Sequence, residues 1–223
     1  MENFYENVDK DRREEGGFYP DKIKFILETI GSKKKVLDIG CNNGFIGEKI
    51  LKKNNIVFGV DIASLSLEEA KNRGLKVKRI DIEKDDLPYK NESFDIVILG
   101  DIIEHVFNTD QLLRESYRVL KKRGVLILST PNVASLGRRM LMMFGKNPFL
   151  EFSSELPTNG LTGVGHIRYY TFSDLVTQLK YNKFTHIHIQ GSGYYMPLAP
   201  FKFWFLSKII PSFCTMLLCR ARK

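Results

Sequence analysis

The chain has 223 residues, 43% of them apolar, and a formal charge of +8. That length can bury a complete core in one domain. Three cysteines, Cys41, Cys214 and Cys219, lack metal-ligand spacing and fit a reducing compartment rather than a disulfide scaffold. The basic residues carry no interleaved aromatic repeat of the kind a nucleic-acid module uses, so no nucleic-acid partner is expected.

Residues 1 to 17 are charged and polar and give no signal-peptide apolar core, so a cytoplasmic location is expected. The chain reads as a single domain over 1–223, with a helical lead-in over 1–34. The most informative stretch follows, from Lys35 to Gly47. A short apolar run ends in Asp38 and breaks into a turn with glycines at 40, 44 and 47, then enters an amphipathic segment. Glycine removes the Cβ that would keep a ligand off the backbone, and a helix start presents free N–H groups. A dinucleotide fingerprint requires G-x-G-x-x-G, and Asn42 stands where its second glycine belongs. A P-loop is excluded, because no G-K-[ST] follows.

Further strand signals recur along the chain. Ile56 to Val60 ends in Asp61, Lys76 to Ile80 ends in Asp81, and Phe94 to Leu99 ends in Gly100 and Asp101. Helical patterns at 44–53, 64–73 and 109–121 separate them, the last closed by Gly124. A fifth strand, Val125 to Thr130, is stopped by Pro131. Residues 133–165 form a lid or insert. A helix from Ser173 to Tyr181 capped by Thr171 or Ser173 comes next, then a sixth strand, Thr185 to Ile189, whose alternation puts His186 and His188 on one face. The tail from Thr215 to Ala221 reads as a last strand. Strands alternating with helices at this spacing call for a doubly wound, mostly parallel α/β sheet with helices on both faces and ligands at the carboxyl ends of the strands.

On the D-x-G-x-x-x-G turn, the F-D-x-V run at 94–97, E-H-V at 104–106, R-V-L-K-x-x-G at 118–124 and H-I-R-Y-Y-T at 166–171, the chain resembles the class I S-adenosylmethionine-dependent methyltransferases. It is most similar to the small-molecule branch with ubiquinone, menaquinone and surface-glycan methyltransferases. The resemblance implies a Rossmann-like seven-stranded sheet with an antiparallel last strand, and S-adenosyl-L-methionine as cofactor. It places Asp38 and Gly40 at the methionine amino group, with Cys41, Asn42 and Gly44 in the same loop. It places Asp61 and Ile62 at the ribose, Asp81 and Ile82 at the adenine, and Leu99 and Gly100 at the methionine end.

Methyl transfer to a hydroxyl needs alignment and a base. His105 and His166 are the candidates, since neutral imidazole accepts a proton near pH 7. No metal is expected, although Asp101, Glu104 and His105 stand at the i, i+3 and i+4 positions that quinone-precursor O-methyltransferases use for a divalent ion. Two apolar-basic segments, 133–152 and 194–211, suggest peripheral contact with an anionic membrane and a small-molecule, lipid-linked or glycan acceptor. Two other readings stay open. One is a cofactor-binding partner without catalysis, resembling the family member that assists homoserine acylation in methionine synthesis. The other is an NAD(P)-binding reductase, for which the motifs are missing.

Overall fold

A computed structural model of the chain describes residues 20–149, 165–193 and 210–223. Its elements are α1 (Pro20–Ile30), β1 (Lys35–Ile39), α2 (Phe45–Leu51), β2 (Ile56–Asp61), α3 (Ser64–Asn72), β3 (Lys76–Arg79) and β4 (Phe94–Gly100). They continue with a 3-10 turn at Ile103–His105, α4 (Thr109–Val119), β5 (Leu120–Pro131), α5 (Leu136–Met143), α6 (Phe172–Tyr181), β6 (Thr185–Ser192), a second 3-10 turn at Pro211–Phe213, and β7 (Met216–Arg222).

The seven strands pair in the order β3-β2-β1-β4-β5-β7-β6. Only β7 runs antiparallel, to both of its neighbours. This is the expected doubly wound sheet with one reversed strand. Period-2 alternation divides the side chains between two cores. Val36, Ile96, Ile98 and Ile127 face α1, α2 and α3 on one side, where Phe25, Ile26, Ile50 and Leu67 pack. Leu37, Val97, Leu99 and Leu128 face α4 and α6 on the other, where Leu113, Leu175 and Leu179 pack.

Four details depart from the sequence expectation. The fourth helix ends at Val119, not at 121, because Leu120 already pairs with Phe94 as the start of β5. The register then jumps to Ile96 opposite Val125, and Arg123 rather than Gly124 takes the left-handed conformation, at φ 65°. In β6 the alternation is interrupted between Thr185 and His188, where His186 adopts φ 48°. The two exposed histidines are therefore not held on one face by a regular pleat. The helical lead-in is α1, Pro20–Ile30; the rest of it, residues 1–19, lies outside the described residues, as do 150–164 of the lid and 194–209 of the second apolar-basic segment. Thr171 caps α6 in a reciprocal box with Asp174, as its sequence suggested.

Candidate active site at the strand carboxyl ends

The turn after β1 is built for close approach. Gly40 and Cys41 both donate their N–H groups to the Val60 carbonyl, at 2.8 and 3.1 Å, which fixes the turn to the end of β2. Asn42 sits at φ 46° and fills the left-handed position where a third glycine would otherwise stand. Its N–H reaches the Asp61 carboxylate at 2.8 Å, and Ala63 N–H reaches the other carboxylate oxygen at 3.0 Å. Asp61 is thereby held at the tip of β2 beside the loop. Gly44 begins α2 at φ 76°, where a Cβ would lie 2.8 Å from the Ala70 backbone. The loop is pinned between β1, β2 and α3.

Two of the expected contributors turn inward. The Cys41 side chain is buried against Gly59, where a Cβ would come within 2.6 Å of its sulfur. Leu99 belongs to the core shared with α4 and α6. Both residues therefore offer the site only their backbone. Ile82 packs at the margin of that core. Asp81, at the end of β3, accepts from Lys84 Nζ at 2.9 Å and from Glu83 N–H at 3.1 Å, and the lysine bond holds its carboxyl below the usual range.

The end of β4 holds a residue that the sequence reading missed. Lys22 of α1 reaches across the sheet to Asp101 at 2.5 Å, next to Gly100. It also faces Asp38, whose carboxyl is pushed up to about 7 by burial, against the pull of Lys22 and with Asp61 adding to the rise. Lys22 lies one helical turn before Ile26 and two before Ile30, on the apolar stripe of α1. A lysine on a buried stripe was the available signal. The arrangement leaves the Asp38 carboxyl beside an ammonium that is already paired with Asp101.

Asp101 is consumed by Lys22 and by Ser129 Oγ at 2.5 Å. Among the described residues Asp101 is not grouped with Glu104 and His105 as a ligand. Instead Glu104 and His105 meet His166, which lies 61 residues beyond His105 in the chain (166 minus 105). The ring centroids of His105 and His166 are 4.8 Å apart. Glu104 is 1% exposed; Oε2 accepts from Thr130 Oγ1, while Oε1 has no hydrogen-bond partner among the described residues and lies 3.9 Å from His166 Nε2. Burial, and then the neighbouring Asp101, push its carboxyl well above the usual range. The Glu104 carbonyl accepts from Ile167 and Arg168 N–H at 2.9 and 3.0 Å, and the Gly165 carbonyl lies 3.2 Å from His105 Nδ1. These bonds bring E-H-V and H-I-R-Y-Y together beside the end of β4. Ligand-type atoms of Glu104, His105 and His166 lie within 4.8 Å of one another, a spacing compatible with a shared cation or a shared proton.

A family model described as a methyltransferase domain matches residues 30–159, more than half of the chain. The chain belongs to this methyltransferase family. A ubiquinone biosynthesis O-methyltransferase from Pelagibacter ubique is 32% identical over 130 residues, covering 52% of this chain and 54% of the relative. The chain thus spans about half the length of the curated relatives it matches. Among solved structures, a SAM-dependent methyltransferase from Archaeoglobus fulgidus superposes with a TM-score of 0.71 at 17% identity, covering 99% of this chain and 100% of that one. A SAM-dependent methyltransferase from Thermotoga maritima, titled a possible histamine N-methyltransferase, gives 0.66 at 20% identity, covering 99% and 95%. These likenesses establish the class I methyltransferase fold.

Proposed function

We propose that this methyltransferase domain transfers the methyl group of S-adenosyl-L-methionine to a hydroxyl oxygen of a small acceptor bearing an apolar portion. One observation carries the reading: the glycine turn, the acids Asp38 and Asp61, and the His105–His166 pair converge at the carboxyl ends of β1, β2 and β4. The residues fit the cofactor. Gly40 and Gly44 carry the turn through positive φ at the strand ends, Asp61 stands at the tip of β2 where a ribose diol would find a carboxylate, and Asp38 would receive the cofactor's ammonium.

When bound, the cofactor supplies an electrophilic methyl carbon and leaves as a neutral thioether. The chain's own work is alignment of the acceptor and removal of its proton. As the acceptor oxygen gains the methyl carbon, its proton passes to an imidazole nitrogen of His105 or His166. The similarity to a relative named as an O-methyltransferase supports oxygen as the acceptor atom. Exposed Phe107, Ile167 and Tyr169 flank the histidines, and Tyr169 packs on Phe149 with ring centroids 4.4 Å apart. That apolar rim suits a quinone-precursor, lipid-linked or aromatic acceptor better than a free sugar. A cofactor-binding partner without turnover is the alternative, and single-turnover methyl transfer to a hydroxylated acceptor separates the two.

The test is calorimetry of cofactor binding. Asp61→Ala should weaken S-adenosylmethionine binding by about 1.5–3 kcal/mol, the range for hydrogen bonds to a charged group. Unchanged affinity, or tighter binding of NAD than of the sulfonium cofactor, would overturn the assignment.

A further inference from the structure

The formal charge of +8 is unevenly placed. Asp38, Asp61, Asp81, Asp101 and Glu104 stand at the carboxyl ends of the strands, while the opposite rim, where the parallel strands begin and β7 ends, is basic. Lys33 and Lys34 precede β1, Lys122 and Arg123 fill the irregular start of β5, Lys183 precedes β6, and Arg222 ends β7. All six are exposed. Backbone bonds tie these turns into one edge: Lys33 N–H to Asn54 O, Ile56 N–H to Lys34 O, and Lys223 N–H to Gly124 O. Among the described residues few acids oppose them. Asp95 is occupied by Lys121 Nζ at 2.8 Å and by Lys35 N–H at 2.9 Å, Glu28 faces Lys24, Glu115 is paired with Arg118 at 2.7 Å, and Glu92 lies beside Arg118.

Across seven strands such an edge spans about 30 Å. Two further side chains indicate what meets it. Ile56, 51% exposed, and Tyr181, 75% exposed, project from the same rim. An isolated Ile and a Tyr among cations suit the headgroup layer of a bilayer, where amphipathic rings anchor. Nucleic acid would call for a platform of stacking aromatics, and Tyr181 alone does not provide one.

We propose that this basic rim, at the end of the sheet opposite the candidate active site, docks the protein on an anionic phospholipid surface. The face around α5, which the sequence pointed to and which exposes Met142, Met143 and Phe144, is the competing contact. The strands would then stand off the bilayer and hold the site about 20 Å from it, open to acceptors in solution or on long headgroups. The inference does not depend on the proposed reaction.

Co-sedimentation with phosphatidylcholine vesicles, with and without phosphatidylglycerol, tests it. The wild-type protein should bind only the anionic vesicles and should be released by high salt, because exposed charges are screened. Each Lys or Arg near an anionic surface is worth about five-fold, so Lys33→Gln, Lys34→Gln, Lys122→Gln and Arg123→Gln together should lower partitioning by more than ~100-fold. The same variant should keep its cofactor affinity, which shows that it is folded and separates this test from that of the reaction. Arg138→Gln with Lys146→Gln, near α5, should change partitioning less than two-fold. Loss of binding in that second variant alone would overturn the proposal in favour of the α5 face. Absence of wild-type binding to anionic vesicles at low salt, or binding of duplex RNA in its place, would overturn it outright.

Discussion

Asp38 sets a conflict between folding and ligand binding that can be measured at one residue. Its carboxyl is buried and pushed from 3.8 up to about 7. Between those values the folded chain holds a proton that the unfolded chain has lost, so stability falls as pH rises through that window and the contribution is gone above pH 7. Asp38→Asn should therefore raise stability at pH 8 by about 1–3 kcal/mol in urea melts, with little gain at pH 4. In the wild type, cofactor affinity should decline as pH drops below about 7, where the carboxylate that would receive an ammonium becomes neutral. A flat affinity profile from pH 5 to 8 would contradict this. Glu104, His105 and His166 make a second residue-scale test possible. If their task is to orient and hold a proton, a chelator should leave turnover intact, whereas loss of activity with Mg²⁺ rescue would make the three a cation site. Residue positions were legible where a strand end and a motif coincided, as at Asp38 and Asp61. Lys22 was legible only as a cation on an apolar stripe. The approach of Glu104 to His166 was not legible, because it depends on how a distant loop folds back.

At the scale of elements, the fit between β2 and the turn after β1 decides how the cofactor loop sits. Gly59 leaves room for the Cys41 sulfur, and a Cβ there would meet it at 2.6 Å. Gly59→Ala should cost about 1–3 kcal/mol by overpacking, and adding Cys41→Ala should recover most of that loss. Additive losses in denaturant midpoints would show that the two positions are not coupled. Arg118 performs a comparable role for the chain between β3 and β4. It forms a two-pronged ion pair with Glu115 at 2.7 Å and donates to the carbonyls of Leu87 and Tyr89. Arg118→Met should free amides near Leu87 to exchange hydrogen faster while leaving the sheet protected, as hydrogen exchange can report. Element identities were read well because buried parallel strands are near-continuous apolar runs. The boundary between α4 and β5 was not, since Lys121, Lys122 and Arg123 suit a helix end as well as an irregular strand start, and the pairing of Leu120 with Phe94 decides it.

For the molecule as a whole, one end of the sheet gathers acids around the candidate site and the other gathers lysines and arginines. The alternation of strand and helix made the parallel architecture legible, and the resemblance supplied the reversed last strand. The distribution of charge became visible only once turns far apart in sequence shared a rim. The place of β7 has a consequence for how the protein is made. Among the described residues β6 pairs with β7 alone, and β7 also closes the gap to β5. On the ribosome, β1 to β5 can pair as they leave the exit tunnel. β6 must wait, unpaired in the sheet, until Met216–Arg222 follows it out, whereas α6 can already pack on α4. A nascent chain stalled before residue 216 should carry a protease-sensitive β6 beside an otherwise formed sheet, and release of the last strand would lock it in place.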